Sequence, residues 1–224
     1  LAGVARAADG GARRAVVERP GVERPGAVSE SAGRSRFQPV IDRTHCPYAR
    51  ASTWPVSEPA RDEAPVEDHL ERALPRFRHA LRQVAAGEAD GFVLDLPARL
   101  GADVTTLRAS SLTVLTWFAA RSTSPSHVTM ADLEDPAWWF PFDGHRLFTV
   151  AFGPCFGPDH TRYAFEAEGF FLLFQHESAF SRRHPGGIPM QVRDRIRHAF
   201  EEAGRPYRYD MGVVPVLRPG DDKR

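Results

Sequence analysis

Two short apolar runs, RLFTVAF at 146–152 and GFFLLF at 169–174, constrain the fold of this chain more than any other feature. Each is continuous rather than alternating, short for a helix, and bounded by turn-forming residues. That pattern fits strands in the middle of a sheet, covered on both faces. Hydrophobic residues fill 42% of the 224 positions, so a core large enough to cover both faces is available.

The flanking sequence supplies the covering layers. Val66, Leu70, Ala73, Phe77, Leu81 and Val84 recur at steps of three and four, which predicts a helix over 65–86. Pro65 suits its first turn and Gly87 its stop. Pro75 lies inside it and predicts a kink or break, because it removes a backbone donor and crowds the preceding turn. GFVLDLP at 91–97 reads as a strand. VTTLRASSLTVLTWFAARS at 104–122 is rich in β-branched residues, but its length favours a helix. Thr129 or Asp132 suits the cap of a single turn, and Asp143-Gly144 marks a tight turn. Val192, Ile196, Ala199, Phe200 and Ala203 share one face of a helix over 189–203, between Pro189 and Gly204. YRYDMGVVPVL near the end reads as a final strand. The stretch from Phe37 through His45 and Cys46 has no helical period and reads as a loop-rich entry. The class is α+β: one domain over 37–224, with a mixed or antiparallel sheet flanked by helices.

Residues 1–36 differ from the rest. They hold no aromatic residue, and VERPG occurs twice in tandem, at 17–21 and 22–26. Such a segment buries too little apolar surface to offset the entropy of ordering, and it reads as a disordered tail. Its excess of arginine over acids leaves a basic interaction arm as the alternative. The formal net charge of the chain is zero, which gives no concentrated basic face for nucleic acid. No apolar run approaches the roughly 20 residues of a membrane span, and no apolar signal segment is present. Two cysteines, Cys46 and Cys155, fit a reducing cytosol better than a disulfide framework.

The connection between the two apolar runs carries the chemistry. Residues 153–168 form a joint far longer than the usual 2–6 residues or so, and loops of that length are commonly functional. GPCFGPDHTRYAF within it offers His160 for metal or acid–base work, Arg162 for an anion and Cys155 as a soft ligand. Phe156, Tyr163 and Phe165 are bulky enough to pack the loop against the rim of the sheet. A structural, hydrogen-bonded histidine is the plain alternative for His160. Cys155 and His160, with His45 and Cys46, could also supply a zinc set, although neighbours in an extended chain point apart. No CxxC, HExxH, GxSxG, P-loop or GxGxxG pattern occurs.

Taken in order, HCPYA at 45–49, DPAWWFPFDGHRLFTVAFGPCFGPDHTRYAF at 135–165, FFLLFQHESAF at 170–180 and RDRIRHAFEEAGRPYRYD at 193–210 resemble the YqcI/YcgG family. Its members include haem-dependent N-hydroxylases acting on guanidine or amine groups. The resemblance covers about 37–219. The family's aromatic-x-Pro-x-His-x-Arg-aromatic block matches Phe156, Pro158, His160, Arg162 and Tyr163. Thr161 departs from it where Pro is common, and His176 where Pro commonly follows the Gln.

The resemblance implies a cytosolic monooxygenase that N-hydroxylates a small guanidino or amino compound with O₂ and electrons from an external donor. Haem would supply the redox centre, because side chains do not activate O₂ unaided. His160 is its expected axial ligand, with His176, His45, Cys46 and Cys155 as rivals. Trp138, Trp139, Phe140, Phe152, Phe156 and Phe174 are expected to line a flat slot, with Gln175 beside them. Arg162 and Arg50 are the expected propionate partners, backed by Arg182 and Arg183. Asp143, Asp159, Glu166 and Glu168 are candidates for a guanidinium, Asp143 with Arg162 and Tyr163 forming the expected catalytic set. A zinc-dependent hydrolase and a non-catalytic haem-binding module are the alternatives.

Overall fold

A computed structural model describes residues 36–135, 137–185 and 187–207. The expected tail lies outside them but for Arg36, and the expected final strand but for Tyr207. The entry segment differs from the reading as loop. A helix α1 covers residues 36–43, and α2 is Pro47–Arg50. Helix α1 buries Phe37 and Val40 on the sheet with Ile41 packed beside them, a short i, i+3, i+4 stripe that the reading as loop passed over.

Helix α3, Val66–Ala85, runs through Pro75 without a break. Pro75 sits on the exposed side, while Leu70, Ala73, Phe77 and Leu81 are buried. Burial of one such side chain is worth about 1.5–3 kcal/mol, so several together outweigh one lost hydrogen bond. Strand β1, Gly91–Leu96, leads through a 3₁₀ turn at Ala98–Gly101 into α4, Val104–Ala120. Asp103 caps α4, its carboxylate accepting from the Thr106 N–H at 2.8 Å. That cap and the buried Leu107, Val114, Leu115 and Phe118 settle this β-branched stretch as helix. Helix α5, Met130–Glu134, is one turn with a Thr129–Asp132 capping box.

Strands β2 (Phe140–Phe142), β3 (His145–Phe152) and β4 (Phe170–His176) complete a four-stranded sheet in the order β1-β4-β3-β2, every pair antiparallel. The two apolar runs are its central pair. Asp143 and Gly144 turn β2 into β3, both with φ in the left-handed region (48° and 80°), as two-residue hairpins require. On the β1 edge, Pro55–Ser57 runs alongside: Val93 N–H donates to the Pro55 carbonyl and Ser57 N–H to that of Val93, each at 2.9 Å. The structure is α+β, as the sequence predicts.

The pleat sorts the sheet into two faces. Phe92, Leu94, Leu147, Phe170, Leu172 and Phe174 point to α3 and α4 and form the larger core. Val93, Val150, Phe152, Phe171 and Leu173 point the other way, where α1 covers part of the surface. Short α6 (Glu177–Ser181) and then α7 (Met190–Glu202) follow β4. Of the α7 face expected from the sequence, Phe200 is buried, Val192, Ile196 and Ala199 are half-buried, and Ala203 is exposed at the C-cap.

Candidate functional site

A cleft of about 310 Å³ lies between the second sheet face and α7. That volume is at the lower end of the ~300–1,000 Å³ typical of small-ligand sites. Phe148, Val150 and Phe152 from β3 and Leu173 from β4 form its floor; Ile196 and Phe200 of α7 lie across it. Thr44 and Cys46 enter from the segment joining α1 to α2, Tyr48 from α2, and Phe180 and His184 from α6 and the turn after it.

Polar groups are set into this apolar lining. Arg162 is 9% exposed, with its guanidinium carbon 5.8 Å from the centroid of the Phe152 ring. Burial lowers its pKa, opposed by Tyr207 and Cys46, but an arginine stays charged. Burial also pushes the Cys46 thiol and the Tyr207 phenol up, so both stay protonated at neutral pH. Gln175 and Tyr48 are each 5% exposed, and neither the Gln175 Nε2 nor the Tyr48 hydroxyl has a hydrogen-bond partner among the described residues. A buried polar group left in this way costs about 1–3 kcal/mol, which a ligand could recover. Arg146, Arg193, Arg197 and Glu177 complete the charged lining; Arg146 pairs with Glu177 at 3.3 Å and Arg197 with Asp194 at 3.0 Å.

The long 153–168 connection is a chain of turns. Phe156 N–H donates to the Gly153 carbonyl, His160 to Gly157, Tyr163 to His160 and Ala167 to Ala164, at 3.0–3.1 Å. Phe165 and Glu166 take left-handed φ values of 53° and 65°, a conformation that costs a non-glycine residue energy. The loop thereby places Thr161 and Arg162 in the wall of the cleft.

The expected site residues separate. Arg162, Trp139 and Gln175 line the cleft, as does Phe152. His160 does not. It is buried, stacked on Phe156 at 4.2 Å, and its Nδ1 accepts the Arg162 N–H at 3.0 Å. Phe156 and Phe174 belong to the core on the other face of the sheet. Tyr163 is half-buried against Phe165, and Arg50 is exposed at the end of α2. Asp143 is a turn residue: its carboxylate accepts from Arg78 Nε at 2.9 Å and the Thr123 N–H at 2.7 Å.

Of the rival ligands, Cys46 lines the cleft. His45 Nε2 accepts from Arg205 at 2.8 Å. His176 Nδ1 accepts the Ser178 N–H at 3.0 Å, which leaves the proton on Nε2, facing His145 Nδ1 at 3.1 Å. Cys155 packs against the other core, with its thiol pushed up by burial to about 11. Cys46 and Cys155 thus belong to opposite faces of the sheet, and among the described residues no three His, Cys, Asp or Glu side chains converge as a metal set.

Sequence reasoning passed over Thr44, Tyr48, Phe148, His184, Arg193 and Arg197 as lining residues. Tyr48 and the two arginines lie in blocks quoted above, but nothing in their spacing shows that they meet. Compared with protein families, with curated proteins and with solved structures, the chain gave no match. No helix among the described residues is long and apolar enough to cross a membrane.

Proposed function

We propose that this chain is a haem-dependent monooxygenase that N-hydroxylates a small guanidino or amino compound, with the cleft as its working site. The observation that carries this reading is a charged guanidinium, Arg162, buried at one end of an aromatic-floored cleft. The lining suits a flat, apolar group with carboxylates on its edge. Phe148, Phe152, Trp139 and Phe180 offer ring faces and edges, and Arg162, Arg193 and Arg197 offer cations.

The lining does not suit haem held by His160, whose ring stands outside the cleft with Nδ1 engaged. The thiol and the imidazole that the lining does hold are those of Cys46 and His184. Bound haem would supply the iron centre at which O₂ is activated, with electrons from an external donor. The chain's own part is to exclude water with the apolar floor, fix the carboxylate edge with arginine and orient the substrate. Glu177, paired with Arg146 at 3.3 Å, is the carboxylate of the lining, and a guanidinium substrate would share it.

The test is the absorption spectrum of the full chain titrated with hemin, wild type beside Cys46→Ser, His184→Ala and His160→Ala. A saturable Soret band is expected, altered in one of the first two variants. Arginine, simple guanidines and amines are then incubated with the loaded protein, O₂ and a reductant, and N-hydroxylated product is sought by mass spectrometry. A chain that takes up no hemin overturns the haem reading. One that takes it up but leaves every compound unchanged is a binding module and not a hydroxylase.

A further inference from the structure

The cleft has two different ends. In the β3–β4 register Phe148 faces Gln175, and Phe152 faces Phe171. Gln175 therefore stands at the Phe148 end. Tyr48 belongs there too: its ring lies 6.0 Å from that of Phe180, which lies 5.9 Å from that of Phe148. Arg162 stands at the Phe152 end. Four residue steps along the strand separate the ends, about 13 Å at 3.3 Å per step. Between them the floor is Val150 and Leu173, with Ile196 across it.

From this we infer a second ligand class for the cleft: an elongated organic acid, its carboxylate on Arg162, its apolar body along Val150 and Leu173, and a hydrogen-bond acceptor at its far end. There the Gln175 Nε2–H and the Tyr48 hydroxyl, buried donors with no partner among the described residues, supply the contacts. A carboxylate on a desolvated guanidinium forms the stronger, charge-assisted bond and sets the direction of binding. The two donors reward an acceptor and leave a purely apolar tail at a disadvantage. This ligand class stands apart from the haem reading, but it shares the Arg162 end, so such an acid competes with hemin where hemin binds.

The probe is 10-hydroxydecanoate, measured by isothermal titration calorimetry on the full chain. Decanoate removes the far acceptor, 1,10-decanediol removes the carboxylate and acetate removes the body. We expect 10-hydroxydecanoate to bind about threefold or more tighter than decanoate, about tenfold or more tighter than the diol, and acetate not to register. Gln175→Leu should shrink the advantage over decanoate, and Gln175→Leu with Tyr48→Phe should erase it, while that over the diol is kept. Arg162→Met should do the reverse. Near-ultraviolet circular dichroism checks that each variant is folded. If Arg162→Met does not fold, Gln175→Leu together with the wild-type ligand series decides the question. Equal affinity for acid and diol, an unchanged hydroxyacid preference in Gln175→Leu, or no heat with any probe overturns the inference. Hemin uptake is read separately from the Soret band, so failure of one reading is not failure of the other.

Discussion

Phe156 and His160 lie face to face, their ring centroids 4.2 Å apart and their planes 8° from parallel. The imidazole also takes the Arg162 N–H, so the stack holds the backbone that delivers Arg162 to the cleft. His160→Ala is expected to lower stability by about 1–3 kcal/mol, since a buried N–H loses its acceptor and the phenyl ring its partner. His160→Phe keeps the stack and loses only the acceptor, so it should fall between the two. Urea denaturation of the three proteins checks the order. Hemin affinity should drop in His160→Ala through misplacement of Arg162, without loss of the ligand signature in the spectrum.

Asp143 belongs to the hairpin and not to the cleft. Burial acts to raise its carboxyl, but the Thr123 N–H and the Arg78 guanidinium prevail and hold it below the ordinary range. A depressed folded pKa contributes stability that is present above the unfolded value and lost as pH falls through the folded one. Asp143→Ala should therefore cost about 1–3 kcal/mol at pH 7 and much less near pH 2–3. Its hemin uptake should match wild type. Thermal melts across that pH range and a hemin titration test both halves.

Asp95 gives the opposite sign. It is 1% exposed on β1, its nearest charged partner is Arg36 at 3.4 Å, and burial raises its carboxyl to about 7 against that guanidinium's pull. A raised folded pKa means the contribution is complete below the unfolded value near 3.8 and is lost as pH rises through 7. Between those values stability should fall by up to about 1.4 kcal/mol per pH unit from this group. Asp95→Asn should flatten that slope, with the variant gaining on wild type from pH 5 to pH 8 in urea melts. Parallel slopes for the two proteins would remove Asp95 as the cause.

Pro75 interrupts the hydrogen-bond ladder of α3 on its exposed side while the buried side holds the helix together. Pro75→Ala restores a donor and relieves the crowded turn, so it should stabilise the protein by about 1–3 kcal/mol. An unchanged or lower melting temperature would mean that the proline ring packs where the helix needs it.

The sequence by itself determined the elements whose signals are local. The central pair β3 and β4, the caps and stops of α3 and α7, the Asp143-Gly144 turn and the α+β class follow from apolar periodicity and turn chemistry, which act over a few residues. The cleft is not legible that way. Its floor alternates along β3 and β4 with residues of the opposite core, so Phe152 and Phe174 look alike in the sequence while the pleat sends one to the cleft and the other to α3. The same holds for His160 and Arg162. Two residues apart in one loop, they are given different fates by a stack on Phe156 and a backbone hydrogen bond. Tertiary structure also decided α1, whose stripe of Phe37, Val40 and Ile41 is too short to hold a helix alone and does so by packing on the sheet. Which side of a strand or loop faces a cavity depends on partners distant in the chain, and neither composition nor spacing encodes that meeting.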